Sequence, residues 1–246
     1  MQFQLKLKVI HQKEKKLWTA RNIAIRATDA EYLLFFDDDS RVEKDWIEEH
    51  LKCLDYFNAE ISAGVSLAVI GQKISESYNY FRWATQFDSG NALVKRNVFH
   101  QIGLFDEQYN SMRMGDAEFG FRAYKNGLKS ISNHKASRVH LKVSSGGLRE
   151  MGSWDGFRPK KWFAPKPVPS VIYLCEKYLS KTLSRNSILL GIFLSNISYK
   201  KKRSSRMLML SVVLTVIKSP VLLIQYFKAK KIALQMQAND NGPVFL

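Results

Sequence analysis

The segment that most constrains the fold is a run of five apolar residues, Tyr32–Phe36, followed directly by Asp37, Asp38 and Asp39. A continuous apolar run of this length is typical of a strand that is buried on both faces of an α/β sheet. Ligand crevices in open α/β sheets lie at the carboxyl ends of the strands. We therefore expect an α/β fold with a functional site at the end of this strand.

Alternating strand and helix patterns extend over residues 1–143, which predicts a mixed sheet flanked by helices. Gly127 follows the last helical pattern and suits a helix C-terminus. The predicted strands are Gln4–Ile10, Ile61–Ile70, Leu128–Ser132 and Ser137–Val143, and the predicted helices are Glu14–Thr28, residues 44–57 and Asp116–Asn126. On the first helix the apolar positions at helical spacing are Leu17, Ala20, Ile23, Ala24 and Ala27, and on the second they are Trp46, Ile47, Leu51 and Leu54.

The remainder of the chain differs in composition. Residues 144–169 are rich in Gly, Ser, Pro and Trp and predict a long loop or lid, and residues 170–246 predict a helical tail. The net charge is +16; residues 1–150 hold 22 basic and 19 acidic residues, whereas residues 151–246 hold 16 and 3. The charge therefore lies in the tail and indicates an anionic partner, either nucleic acid or a membrane surface.

The tail pattern favours a membrane surface. Met207–Ile217 is an apolar run of 11 residues that is followed by Lys218 and Pro220, whereas a spanning helix needs about 20 apolar residues. A surface-lying or re-entrant helix fits better, with the basic residues of 200–206 meeting anionic headgroups. A helix packed on the domain is the alternative. We do not expect nucleic-acid binding, because no motif that reads nucleic acid is present.

Composition bounds the remaining properties. The hydrophobic content of 46% is sufficient for one substantial core. The two cysteines, Cys53 and Cys175, belong to no metal-ligand pattern and predict free thiols in a reducing compartment. The N-terminus contains no apolar run of signal-peptide length, so we expect a cytoplasmic protein, peripheral at the inner face of the plasma membrane.

The aspartates after the first apolar strand suggest a metal site. Asp37 and Asp39 are separated by one residue and can converge on one divalent cation, which prefers oxygen ligands and can bridge phosphates. Such an ion assists departure of a diphosphate by neutralising its developing charge. The alternative is an acidic, solvated turn that caps the next helix.

Five motifs follow one another along the chain: Thr19–Asn22, Tyr32–Asp39, Gly90–Phe99, Ile102–Glu107 and Gly115–Arg122. Together they resemble glycosyltransferase family 2 enzymes of the GT-A fold over about residues 5 to 140. The resemblance implies that Asp37 and Asp39 contact the metal and the donor ribose, and that Arg21 and Asn22 lie near the nucleotide. It further implies that Asp116 is the catalytic base, where many members carry an additional acid at the position of Gly115.

The remaining site residues follow from the same resemblance. His140 is a further metal ligand or a structural histidine, and Glu118 binds the acceptor or is a first-turn acid favoured by the helix dipole. Asp116 is also a favoured helix N-cap, and Asn22 suits a polar helix face as well as a nucleotide site. The substrate-binding set is Arg21, Asn22, Asp37, Asp38, Gly90, Asn91, Glu118 and Arg122, and the aromatic candidates for sugar stacking are Trp83, Phe87, Trp154 and Trp162.

The expected function is inverting, metal-assisted transfer of a sugar from a nucleotide-diphosphate sugar to an acceptor hydroxyl. The resemblance implies Mn²⁺ or Mg²⁺, a glycan or lipid-linked acceptor and a role in bacterial cell-surface polysaccharide synthesis. Compared with the family, roughly the first 70 residues are missing, which is one or two βαβ units. The alternative function is therefore a truncated or inactive relative that binds a membrane or a partner.

Overall fold

The computed structural model describes residues 6–85, 88–141, 156–157, 161–197 and 204–246. Its strands are β1 (Tyr32–Phe36), β2 (Ser40–Val42), β3 (Ile61–Leu67), β4 (Arg82–Trp83), β5 (Asn91–Lys95) and β6 (Ser130–His140). Its helices are α1 (Leu17–Arg26), α2 (Trp46–Tyr56), α3 (Asn97–Ile102), α4 (Gly115–Lys125), α5 (Pro169–Tyr178), α6 (Lys181–Ser195), α7 (Ser205–Ile217) and α8 (Ser219–Ala238).

One mixed sheet joins all the described strands in the order β1-β5-β3-β6-β2, with β4 paired to β6 outside this path. Strands β3 and β6 are parallel, and the other pairs are antiparallel. The predicted mixed α/β sheet with flanking helices is confirmed. Leu128–Ser132 and Ser137–Val143 were expected as two strands, but residues 130–140 form the single strand β6, with a register shift against β3 between Gly64 and Ser66.

Strand β1 lies at one end of the described strand order, and its side chains are mostly only partly buried or exposed, so the expected burial on both faces is wrong. Only Leu33 is buried in this strand. Its apolar character has another cause, because Phe35 packs edge-on against Phe99 and Phe105 and Phe36 packs against Trp46. The apolar run is therefore explained by these aromatic contacts, and not by a central position of the strand in the sheet.

Helix α1 confirms the helix expected within Glu14–Thr28, but it buries a different face. The buried residues are Trp18, Asn22 and Ile25, spaced by four and three residues, whereas Ala20 and Ala24 are exposed. Trp18 packs against Phe105 at 5.1 Å between ring centroids. The buried face of α1 is thus the one that carries the large Trp18 ring and the hydrogen-bonded amide of Asn22. The alanines do not determine this face, because they contribute little apolar area.

Two further expectations need correction. Residues 6–10 of the predicted strand Gln4–Ile10 form no strand and are exposed. Helix α2 buries Trp46 and Leu54 as expected, together with His50 and Cys53, but Ile47 and Leu51 are exposed. Helix α4 agrees with the expected Asp116–Asn126, and Gly127 terminates it with φ +74°.

The main core is continuous from the sheet to the tail. It contains the aromatic residues Phe99, Phe105 and Phe119 together with Tyr173 of α5, Ile188 of α6 and Ala229 of α8. The C-terminal residues return to the domain, where the Leu104 amide donates to the Val244 carbonyl at 2.7 Å. The division of the chain at residues 143 and 170 stays a prediction.

Helices α7 and α8 meet at a 64° bend next to Lys218 and Pro220. No single helix among the described residues is long and apolar enough to cross a membrane, whereas this bent pair meets that requirement by combined length and composition. The pair exposes many large apolar side chains, among them Met207, Leu208, Met209, Leu210, Val213, Val216, Ile217, Leu223, Ile224 and Phe227.

Some expectations fall outside the described residues. Most of the predicted lid at 144–169, most of the basic run at 200–206, Phe87 and Trp154 belong to this group.

Candidate active site

The acidic residues after β1 and a histidine at the end of β6 come together through the sheet. Strand β2 pairs with β6 in a register that places Ser40 opposite His140, and the Leu141 amide donates to the Asp39 carbonyl at 2.8 Å. The Nε2 atom of His140 lies 3.0 Å from Oδ2 of Asp39. One ligand atom from each of Asp37, Asp39 and His140 lies within 4.8 Å of the others, so the three predicted metal ligands converge.

Two arginines hold Asp37. Oδ1 of Asp37 accepts a hydrogen bond from Nη2 of Arg21 at 3.2 Å, and Oδ2 accepts one from Nη1 of Arg138 at 2.8 Å. Arg21 lies over the rings of Trp18 and Phe35, at 5.4 and 5.8 Å from their centroids. Its Nη1 atom is buried and has no hydrogen-bond partner among the described residues, which leaves one donor free within the site.

Sequence reasoning missed Arg138 and its partner Asp88. Arg138 is 3% exposed and its Nη2 atom donates to both carboxylate oxygens of Asp88, at 3.0 and 2.8 Å. Burial opposes the charge of Arg138, but Asp88 and Asp37 outweigh it and raise the pKa of the guanidinium. Burial likewise disfavours the Asp88 carboxylate, yet Arg138 lowers its pKa overall. The available signals were an Asp two residues before Gly90 and an Arg two residues before His140.

Asp116 lies in the first turn of α4, and its Oδ1 accepts a hydrogen bond from the Ser89 amide at 2.9 Å. Burial raises the pKa of this carboxyl, and the nearby Arg21 guanidinium only partly offsets the effect. Asp116 is not the N-cap, because Met114 occupies that position with φ +77°. The helix therefore does not require an acid here for capping.

Gly115 and Gly90 leave room for neighbouring groups. A Cβ atom on Gly115 would lie 2.2 Å from the Trp18 ring, which explains why no side chain precedes Asp116. A Cβ atom on Gly90 would lie 2.0 Å from Oδ2 of Asp37 and 2.6 Å from Nη1 of Arg138. Gly90 thus permits the close approach of the aspartate and the arginine.

The two asparagines of the predicted substrate-binding set have partners inside the protein. Asn22 donates to the Phe105 carbonyl at 2.9 Å and accepts from the Phe105 amide at 3.0 Å. Asn91 accepts from Nε1 of Trp46 at 2.8 Å and donates to the Val65 and Ala136 carbonyls at 3.2 and 3.0 Å. These contacts favour a structural role for both side chains.

Glu118 and Arg122 also point into the protein. They form a bidentate ion pair at 3.0 and 2.9 Å, with side chains 1% and 7% exposed. Tyr178 of α5 donates to Glu118 at 2.5 Å, and Arg122 donates to the Ile102 and Leu104 carbonyls. The structure therefore joins α4 to α5 through Glu118, which favours a structural role over acceptor binding.

The remaining predicted residues lie at the surface. Asp38 is exposed, and its side chain makes no hydrogen bond or ion pair within the described part of the chain. Trp83 and Trp162 are 61% and 66% exposed. Trp162 lies beside Lys218, whose Nζ is 5.6 Å from the ring centroid, and so contacts the tail.

A sequence profile of the family described as "Glycosyl transferase family 2" matches residues 1–119. Residues 1–119 belong to glycosyl transferase family 2. The match contains Arg21, Asp37, Asp39, Asp88 and Asp116, whereas the family 2 profile ends before Arg138 and His140. No curated protein matches the chain.

Two solved structures resemble the chain to different degrees. The structure titled "Crystal structure of S. aureus TarS 1-349 in complex with UDP-GlcNAc" is 15% identical, with a TM-score of 0.53, and the match covers 88% of this chain and 62% of TarS 1-349. A structure of GalNAc-T7 with UDP, GalNAc and Mn²⁺ is 11% identical, with a TM-score of 0.46, and the match covers 53% of this chain and 31% of GalNAc-T7. At these identities the likeness to TarS shows a common fold, and the chain spans less than two thirds of either protein.

Proposed function

We propose that the family 2 domain transfers a sugar from a nucleotide-diphosphate sugar, with a UDP-sugar as the first choice, to an acceptor hydroxyl with inversion at the anomeric carbon. The observation that carries the proposal is the position of Ser89 and Gly90. The Ser89 amide bonds Asp116, and Gly90 abuts Asp37, so adjacent residues connect the candidate base with the candidate metal ligands. The sugar donor and the acceptor hydroxyl can therefore bind next to each other, on either side of Ser89 and Gly90.

The residues present fit a divalent metal. Asp37, Asp39 and His140 supply two carboxylate oxygens and one imidazole nitrogen, all close enough for one ion. Carboxylates suit both Mg²⁺ and Mn²⁺, and the imidazole ligand favours the transition metal, so we choose Mn²⁺. When bound, the ion neutralises the charge that develops on the departing diphosphate.

Asp116 takes the proton of the acceptor hydroxyl in this proposal. A general base works best when its pKa lies near the operating pH, and burial shifts the pKa of Asp116 upward in that direction. The hydrogen bond from the Ser89 amide fixes one carboxylate oxygen, which leaves the second oxygen for the acceptor. Inversion follows because base and leaving group act on opposite faces of the sugar.

Arg21 carries a second role in the donor site. Nη2 holds Asp37, and the buried Nη1 has a free N–H donor. A buried donor without a partner costs free energy, about 1–3 kcal/mol, so a ligand that satisfies it gains affinity. A phosphate oxygen of the donor is the group that suits an arginine in this position.

We further propose that the bent pair α7–α8 lies on an anionic lipid bilayer. Helix α7 exposes apolar side chains over most of its surface, and the hydroxyl groups of its buried residues Ser211 and Thr215 are satisfied within the helix. Ser211 donates to the Met207 carbonyl and Thr215 to the Ser211 carbonyl, each at 2.7 Å. The basic excess of residues 151–246 complements anionic headgroups. This location suits a lipid-linked acceptor and cell-surface polysaccharide synthesis from the cytoplasmic side.

The first experiment is isothermal titration of the full chain with UDP in the presence and absence of Mn²⁺. We expect binding that requires Mn²⁺ and is lost in the Asp37→Ala/Asp39→Ala double variant. UDP release from UDP-sugars should then fall on the order of 100-fold or more in Asp116→Asn. A folded protein that binds neither Mn²⁺ nor UDP would refute the transferase and support the inactive relative.

The membrane proposal has its own test. The full chain is floated with phosphatidylglycerol/phosphatidylcholine vesicles at low salt, and we expect it to rise with the vesicles. The double variant Val216→Ser/Ile217→Ser, at positions 65% and 67% exposed, should bind more weakly. Tyr56→Ser is the matched control, because Tyr56 is 82% exposed on α2, away from the tail. Equal flotation of both variants would count against α7–α8 as the lipid-binding surface.

A further inference from the structure

Arg138 uses its complete set of hydrogen-bond donors. A guanidinium has five N–H groups in one plane. Nε donates to Oγ of Ser66 at 2.8 Å, Nη1 donates to Asp37 and to Oγ of Ser40 at 2.8 Å each, and Nη2 donates twice to Asp88. Five contacts from five donors fix both the position and the plane of the group.

These contacts join separate parts of the sheet around Asp37. Arg138 lies on β6, Ser40 begins β2, Ser66 lies on β3, and Asp88 precedes β5. Asp88 is itself fixed, because its Oδ1 accepts from the Gly90 amide at 3.0 Å and its Oδ2 accepts from the Ser66 hydroxyl. The orientation of Asp37 is therefore set by groups that do not belong to its own strand.

The distribution of charge in this network favours metal binding. Asp88 takes the bidentate contact of Arg138, so Asp37 receives one hydrogen bond from that guanidinium rather than two. Without the Asp88 charge, Arg138 would pair more strongly with Asp37 and compete with a cation for the same carboxylate. Without Arg138, the carboxylates of Asp37 and Asp88 would repel each other.

We propose that Asp88 and Arg138 are a positioning pair that holds Asp37 in the orientation required by the divalent metal and the donor diphosphate. The proposal rests on the proposed function, since it assigns the pair to the same site. Asp88 and Arg138 act through Asp37.

The test measures Mn²⁺ affinity in the presence of UDP for the full chain and for Asp88→Asn, which removes one charge at nearly constant shape. We expect affinity to fall about 10- to 100-fold, as is typical for groups that orient metal ligands. Glu176→Gln is the matched control, because Glu176 is a partly buried acid paired with Lys230 on tail helices. Glu176→Gln also removes an ion pair, but it should leave the Mn²⁺ affinity unchanged.

A second variant covers the case in which Asp88→Asn does not fold. Ser66→Ala removes one hydroxyl that contacts both Arg138 and Asp88, and it should weaken Mn²⁺ affinity about fivefold. If the unmodified chain binds Mn²⁺ and the folded variants bind it equally well, the positioning role is wrong. If the unmodified chain itself does not bind Mn²⁺, the proposed function fails instead.

Discussion

Replacing Gly90 with Ala tests how closely the site is packed around Asp37. The new Cβ would lie 2.0 Å from Oδ2 of Asp37, whereas ordinary contact begins at 3.4 Å, so the carboxylate must move by about 1.4 Å. Backbone movement is the only alternative, because Nη1 of Arg138 lies 2.6 Å away on the same side. The φ angle of Gly90 is not in the left-handed region, so the effect is steric.

The expected loss has two parts. Overpacking of this kind costs about 1–3 kcal/mol, which lowers Tm by roughly 2 to 12 °C in a chain of this length. Displacing the proposed metal ligand Asp37 by more than 1 Å should reduce Mn²⁺ affinity in the presence of UDP about 10- to 100-fold. Calorimetric unfolding and isothermal titration measure the two parts separately.

Gly127→Ala is the matched control for Gly90→Ala. Gly127 has φ +74°, and beyond its immediate chain neighbours no atom of the described residues lies within 4 Å of the position that a methyl group would occupy. Alanine there therefore strains the backbone by about 1–2 kcal/mol without touching the site. We expect a comparable loss of Tm and unchanged Mn²⁺ affinity. The reasoning is refuted if Gly90→Ala binds Mn²⁺ and UDP as tightly as the unmodified protein.

Three further predictions concern single side chains. Asp116→Asn should reduce transfer on the order of 100-fold or more, yet raise Tm at pH 7. Because burial raises the folded-state pKa of this carboxyl, the stability contributed by Asp116 is complete only at low pH and is lost as pH rises through that pKa. An unchanged or lower Tm would contradict the burial argument. The pKa of His50 is lowered to about 4 by burial, so stability present above pH 6.5 should be lost as pH falls towards 4, by up to about 3 kcal/mol. His50→Gln should flatten that dependence, and an equally steep curve would exclude His50 as its source. Arg122→Met leaves Glu118 buried without its ion-pair partner and should cost about 3–5 kcal/mol, with UDP affinity unchanged in the protein that remains folded. If the folded variant binds UDP more weakly at low temperature, Arg122 contributes to the substrate site.

Local pattern predicted strand β1 with its acidic end and the helices α1, α2 and α4 well. Five apolar residues next to three aspartates, and a glycine after α4, are signals that neighbouring residues carry by themselves. The convergence of Asp37, Asp39 and His140 agrees with the metal site that the family resemblance implied, although metal binding itself stays a prediction.

Contacts between segments that are distant in the sequence were predicted less well. The place of β1 in the sheet and the buried face of α1 depend on partners such as Phe99 and Phe105, which lie more than 60 residues further along the chain. The family motifs likewise do not separate ligand contacts from internal ones. Asn22 and Glu118 stand in motif positions, but their hydrogen bonds are made inside the domain.

Strand β6 has a consequence for how the protein is made and divided. It pairs with β2, β3 and β4, and it carries Arg138 and His140, which contact Asp37 and Asp39 about 100 residues earlier in the chain. During synthesis the aspartates therefore leave the ribosome long before the strand that completes their surroundings. A fragment cut at residue 119, where the family profile ends, would lack the shared strand, and its β3 would have an open edge available for aggregation. Expression of the family 2 part alone should include residue 140.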